Sequence, residues 1–276
     1  MYGGGVSELA LNYRTEGNGP PLLLVHGFGI SFNIWQQLIP LLRTHFTLVM
    51  VELPGIGASP MPREGTDYLT AAIDGIEGVR ASLRVDRWSV VGYSSGSRIA
   101  EAYVQAHASN VCWAIFPCPV RIAPHKARVL EFGLWLDRLM PALGTWILSD
   151  WRLRFLISWL GFNLRPDPRS PQWFAEISSA PVRVLKDTIR ALAPGATRSF
   201  SVPVPYAMIW GDRDLVPLTP RKSGEHDYFV HGRHAAPVES ADEVAKLIIS
   251  LGRMNLPEMN SDESTQPLKG VEQYRA

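Results

Sequence analysis

Cysteine is scarce: the 276 residues hold two, Cys112 and Cys118. Along the apolar run VCWAIFPC they would stand about 20 Å apart as a strand, beyond the roughly 7 Å Cα reach of a disulfide. That excludes a disulfide scaffold, and free thiols fit a reducing, cytoplasmic setting. Charge of one sign is lacking too: Lys+Arg 27 against Asp+Glu 26 leaves +1. A protein that binds by neutralising many phosphates needs more, so no nucleic-acid partner is expected. Long uncharged apolar runs are also missing. The most apolar region, 130–164, is broken by Glu131, Asp137, Arg138, Asp150, Arg152 and Arg154, and no window of about 20 residues reads as a transmembrane helix. The first residues show no basic n-region and no apolar h-region, so no secretory signal is expected. Neither HExxH nor paired Cys/His spacing occurs, and Gly3-Gly4-Gly5 precedes any strand; no metal and no cofactor are expected.

What is present is an ordinary globular composition, 46% hydrophobic and 19% charged. Continuous apolar runs at Pro21–His26, Thr47–Leu53, Trp88–Tyr93 and Val111–Pro117 suit strands buried on both faces. Helical patterns at Ile34–Leu42, Tyr68–Leu83 and Ser95–His107 lie between them, which predicts βαβ units and a doubly wound, mostly parallel α/β sheet. From about Val120 to Phe200 the pattern is helical, punctuated by Pro124, Pro141, Gly144, Gly161 and Pro166. Strands resume at Tyr206–Trp210 and Tyr228–His231. A helix near Ser240 follows, with capping-box spacing to Glu243 and an apolar stripe of Val244, Leu247, Ile248 and Leu251. The expected organisation is a core of 1–118 and 200–256, an inserted helical cap at 119–199, and a polar tail at 257–276.

Gly92-Tyr93-Ser94-Ser95-Gly96 is the strongest local signal. By chance, roughly one chain in seven of this composition carries G-x-S-x-G. Here it joins an apolar strand to an amphipathic helix, where two glycines permit a sharp turn and the helix N-terminus faces the serine. A serine nucleophile needs a base, and the base an orienting acid. Of seven histidines, His45, His107 and His125 lie on helical or connecting segments, and His26 belongs to the turn His26-Gly27-Phe28-Gly29. His226, His231 and His234 remain. His234 is favoured because it lies on the loop after a strand's C-terminal end, where open α/β sheets bind ligands. In Gly211-Asp212-Arg213-Asp214, Asp214 is favoured over Asp212, which is still leaving the strand.

The order Ser94, Asp214, His234 and the blocks HGFG (26–29), ELPGIGAS (52–59), GYSSG, WGDRD and GRH resemble the α/β-hydrolase superfamily over about 22–118 and 203–252. The resemblance implies an oxyanion hole from the backbone N–H groups of Phe28 and Ser95, and an acid five residues after the histidine, here Glu239. Two positions depart from the pattern. Glu52 stands where Asp is usual, and Arg233 stands where a small residue usually precedes the histidine, close enough to crowd the base. Haloalkane dehalogenases and epoxide hydrolases of this fold use Asp where this chain has Ser94, which points instead to the serine members.

The expected activity is hydrolysis of carboxylic esters of apolar small molecules, medium-chain or aromatic, through an acyl-enzyme. Carbon–carbon hydrolysis of ring-cleavage diketones and prolyl aminopeptidase-like hydrolysis are alternatives, as is a non-catalytic receptor on the same fold. For a diketone carboxylate, Arg121, Arg128 or Arg152 would serve; for a prolyl ammonium, Glu131 or Asp137. Residues 121–173 hold five of nine tryptophans, and Tyr93, Trp135, Trp151 and Trp159 are the expected pocket residues. Eight Lys/Arg against four Asp/Glu over 121–170 also allow this cap to touch an anionic membrane surface.

Overall fold

The computed structural model describes residues 9–121, 124–160, 168–195, 197–216 and 226–255; Gly3–Gly5 and the 257–276 tail lie outside them. The apolar runs form the middle of a seven-stranded sheet. Its strands are β1 (Tyr13–Gly17), β2 (Pro21–Val25), β3 (Thr47–Val51), β4 (Trp88–Gly92), β5 (Val111–Pro117), β6 (Tyr206–Gly211) and β7 (Asp227–Val230). The spatial order is β1-β3-β2-β4-β5-β6-β7, and every neighbouring pair is parallel except β1 with β3. Successive side chains go to opposite faces. Leu23, Val25, Val49, Val51 and Val90 enter the core on one side; Leu22, Leu24, Leu48, Met50 and Val91 enter the core on the other. Two cores on one sheet explain why these runs are apolar throughout.

Helices α2 (Tyr68–Ser82) and α3 (Gly96–Ala106) cover the first face with Ile76, Val79, Ile99 and Tyr103. The second face is covered by α1 (Ile39–Leu42) and α10 (Ala241–Asn255), with α9 (Ala236–Glu239) leading into α10. Between β5 and β6 run α4 (Pro124–Leu139), α5 (Pro141–Ser149), α6 (Trp151–Leu160), α7 (Ser170–Ser179) and α8 (Val182–Leu192). The buried Arg98 of α3 clamps both ends of this insertion. It donates to Val120 O at 3.1 Å and Arg198 O at 2.7 Å, and pairs with Glu101 at 2.7 Å.

Three local expectations are revised. β1 has no apolar run to reveal it: YRTEG is a charged edge strand paired on one side only. The helix expected over Ile34–Leu42 splits into a 3-10 turn at Phe32–Trp35 and α1, because Pro40 has no N–H to continue an incoming helix and sits in α1's first turn. The capping-box pair does not close on itself. Ser240 Oγ donates to His231 O, and Glu243 Oε2 accepts from His231 N at 3.0 Å, so both tie the helix start to the end of β7.

His26 is the bolt at the end of β2. It is fully buried; Nδ1 lies 2.9 Å from Gly27 O, and Nε2 accepts from Leu53 N at 2.9 Å. Burial holds its imidazole down from 6.5 to about 4, against the hydrogen bond to Gly27. The unfolded chain therefore binds this proton from pH 6.5 downward while the folded one resists until about 4. Stability from this group is complete above pH 6.5 and falls by about 3 kcal/mol towards pH 4. Urea titrations across that range are expected to show this slope in the wild type. His26→Gln is expected to be less stable at pH 7.5 but to lack this part of the slope.

Candidate active site

The turn from β4 to α3 is forced to be tight. Ser94 has φ +52°, a left-handed conformation that costs a non-glycine residue on the order of 1–2 kcal/mol. Its neighbours hold it there: Tyr93 N donates to Val25 O (3.0 Å), Ser94 N to Pro117 O (3.1 Å), and Ser97 N to Ser94 O (3.0 Å). A Cβ on Gly96 would lie 2.1 Å from His26 O, and one on Gly92 2.6 Å from the Ala100 side chain. Only glycine lets α3 start this close to the sheet.

Two loops at the neighbouring strand ends are laced together. Asp212 N donates to Val230 O at 2.9 Å, Arg213 N to Gly232 O at 2.9 Å, and Gly232 N to Asp212 Oδ1 at 3.0 Å. This brings Asp214 beside His234, with Oδ2 2.9 Å from Nδ1, while Asp214 Oδ1 accepts from Val216 N at 2.8 Å. Ser94 Oγ lies 2.8 Å from His234 Nε2. A carboxylate only accepts, so Nδ1 carries the hydrogen and Nε2 is left to accept from the serine hydroxyl. All three side chains are buried. Asp212 is turned away, to His231 Nδ1 at 3.1 Å, and the third candidate base, His226, packs 4.4 Å from the Tyr206 ring.

The surroundings keep this relay in register. Tyr93 donates its hydroxyl to His234 O at 3.0 Å; burial first, and then the charges near it including Asp214, push its phenol well above the usual value, so it stays a donor. Cys118 lies in the same cluster, its Sγ within 4.8 Å of ligand atoms on Asp214 and His234. Burial and the Asp214 charge push this thiol well up, so it is neutral, whereas metals take thiolates. With Asp214 and His234 bonded to each other, the set suits a proton relay better than a cation. Arg233 does not crowd the base: its guanidinium pairs with Glu239, whose Oε2 also accepts from Arg233 N at 3.0 Å. Glu52 accepts from Asn12 Nδ2 at 2.8 Å and Ala58 N at 2.7 Å, bracing the loop after β3.

Ser94 opens into a cavity of about 330 Å³ bordered by Phe28, Ser95, Tyr93 and His234. A Cβ on Gly27 would touch Ser94 Cβ at 3.1 Å, so the Gly27-Phe28 segment lies against the serine. Among the described residues, the backbone N–H groups of Phe28 and Ser95 have no partner within the protein. The rest of the wall is apolar apart from Thr188, and no Lys, Arg, Asp or Glu lines it among the described residues.

Tyr93 lines the cavity as expected from sequence, but Trp135, Trp151 and Trp159 do not. The reason is helical phase. On α6 the cavity wall is Ile157 and Leu160; Trp151, nine residues from Leu160, is about half a turn away, and Trp159 is about 200° from Ile157. Trp159 packs on Phe155 at 5.1 Å, Trp135 stacks on Phe132 at 5.7 Å, and Trp151 is exposed. The residues that do form the roof include Trp173 and Ile177 of α7 and Thr188, Ile189 and Leu192 of α8. Their i, i+4 and i, i+1, i+4 spacings were the available signal.

A family model described as the alpha/beta hydrolase fold matches residues 20–146. The chain has the α/β-hydrolase fold. Its curated relatives include a soluble epoxide hydrolase of Corynebacterium sp. (strain C12), 38% identical over 95 residues, 34% of this chain and 33% of that one. A pimeloyl-[acyl-carrier protein] methyl ester esterase of Vibrio vulnificus (strain YJ016) is 47% identical over 49 residues, 18% of this chain and 19% of that one. The chain thus spans a third or less of the length of these two relatives. A solved hydrolase from Pseudomonas aeruginosa PA01 superposes with a TM-score of 0.67 over 90% of this chain and 99% of that one, at 17% identity, and shares the fold.

Trp173 and Trp151 separate wall from surface. Trp173→Ala is expected to destabilise the protein by about 3–5 kcal/mol. Trp151→Ala should stay within about 0.5 kcal/mol of the wild type, as read from urea midpoints at constant m.

Proposed function

We propose that this α/β hydrolase cleaves carboxylic esters with an apolar acyl group through an acyl-enzyme at Ser94. The observation that carries the reading is the unbroken chain Asp214–His234–Ser94 ending in an apolar cavity. His234 takes the Ser94 proton as Oγ attacks the carbonyl carbon, then gives it to the leaving alcohol. Asp214 holds the imidazole tautomer and stabilises the imidazolium. The free N–H groups of Phe28 and Ser95 receive the oxyanion. Water, activated by the same imidazole, releases the acid. The five helices between β5 and β6 act as the cap, with α7 and α8 roofing the acyl site.

The cavity also speaks against the alternatives. A ring-cleavage diketone carries a carboxylate and a prolyl substrate an ammonium, and neither would find a charged partner on the described wall. Arg121 reaches Ser199 instead, Asp137 pairs with Lys186 and Arg190, and Arg128, Glu131 and Arg152 are exposed. A pure receptor does not require a serine in hydrogen-bond reach of an oriented imidazole. The epoxide hydrolase and the methyl ester esterase among the relatives act on different bonds; Ser94, where the epoxide-opening members use Asp, favours the ester.

Two outcomes test the proposal. A serine-reactive phosphonate is expected to label the wild type and not Ser94→Ala, and this variant is expected to lose ester hydrolysis by on the order of 10⁴-fold or more. With p-nitrophenyl esters, kcat/KM is expected to rise about fourfold per methylene from acetyl upward until the cavity is full. Retained hydrolysis in Ser94→Ala, or a falling series, would refute the mechanism or the apolar acyl site respectively.

A further inference from the structure

The exposed apolar surface of this protein is concentrated in one place. Of fourteen large apolar side chains exposed among the described residues, ten lie between residues 132 and 160, on α4, α5 and α6 and the turn between α4 and α5. Trp146 is 68% exposed and Trp151 62%. Soluble surfaces scatter such residues singly; a group this dense marks a contact surface.

The charges interleaved with it are positive. Arg128 and Arg138 are exposed on α4 and Arg152 on α6, the last with its guanidinium over the Trp151 ring at 5.7 Å. On the acidic side, Asp137 is neutralised by Lys186 and Arg190, and Asp150 is half-buried, accepting from Arg152 N at 2.7 Å, which leaves Glu131 as the exposed acid. Aromatic rings beside arginines whose heads reach outward match the boundary between acyl chains and anionic headgroups. A second copy of the chain is a poorer fit, because a two-fold contact would set the same arginines against one another.

This surface is also continuous with the cavity. Leu160 is 38% exposed and lines the cavity wall, beside Ile157 of the same helix and Leu148 of α5. An apolar ligand crossing α6 therefore passes from the outer face to the space above Ser94 without meeting a charged side chain on the described wall.

We propose that the outer face of α4–α6 docks on an anionic phospholipid bilayer, from which the cavity draws its apolar ligand. The docking stands on the surface alone; the use made of the ligand rests on the esterase reading of Ser94. The test is co-sedimentation of the full chain with phosphatidylcholine vesicles with and without phosphatidylserine. Binding is expected with phosphatidylserine and should weaken with salt. The triple variant R128Q/R138Q/R152Q is expected to bind on the order of a hundredfold less tightly. Trp146→Ser/Trp151→Ser is expected to lose binding while keeping the rate on a soluble acetyl ester. No binding to phosphatidylserine vesicles by a protein that hydrolyses soluble esters overturns this inference alone. Self-association that the tryptophan variant abolishes, without vesicle binding, also overturns it. Vesicle binding by a protein inert to every ester supports the docking and sinks the esterase reading.

Discussion

The first turn of α3 presses on the end of β2 so closely that a single methyl group would not fit between them: a Cβ on Gly96 would reach 2.1 Å from the His26 carbonyl. Everything at the site depends on that approach. It forces Ser94 into a left-handed turn, lifts its hydroxyl off the end of β4, and brings the helix N-terminus under it. The strain is held by the hydrogen bonds of Tyr93 and Ser94 to the adjacent strands, and by His26, whose neutral ring ties the end of β2 to the chain leaving β3. A protonated His26 would have one donor too many for that place, which is why burial keeps it neutral.

How much of this was legible in the sequence depended on how strongly each element is buried. Strands β2 to β5 are covered on both faces, so their apolar runs could be read directly. β1 pairs on one side and faces water with Arg14 and Glu16, so nothing in its composition marks it. At the site, motif spacing placed Ser94, Asp214 and His234 on the loops that the structure brings together. The sequence favours Asp214 because Asp212 is still leaving the strand; in the structure Asp214 faces His234 and Asp212 faces His231. Of the cavity wall, the motif residues Phe28, Tyr93, Ser94, Ser95 and His234 were legible, and the roof was not. A count of tryptophans in an inserted segment carries no helical phase relative to a ligand, and the rings of Trp135 and Trp151 are exposed. The capping-box spacing at Ser240 and Glu243 was real, but both side chains serve β7.

Inside the insertion, packing is organised by a buried cation. Arg154 of α6 donates to the carbonyls of Leu148, Ile177 and Ala180 at 2.7–3.2 Å, and also to Ser178. These are the carbonyls at the ends of α5 and α7, which have no partners within their own helices. One guanidinium thus joins three helices where an apolar residue would leave several acceptors unsatisfied.

Glu176 of α7 reaches out of the insertion to the loop after β2, accepting from Ser31 N at 2.8 Å and Asn33 Nδ2 at 3.0 Å. Ser31 stands three residues after Phe28 on that loop. The roof of the cavity and the floor beside Ser94 are therefore stitched by one carboxylate, and α7 cannot swing without dragging the neighbouring amides with it. The earlier helices hold to this roof in turn: α6 through Arg154, and α4 through Asp137, which pairs with Lys186 and Arg190 of α8. In mechanical language, α7 is a jamb: it carries Trp173 and Ile177 over the cavity, and α6 hangs from it through Arg154.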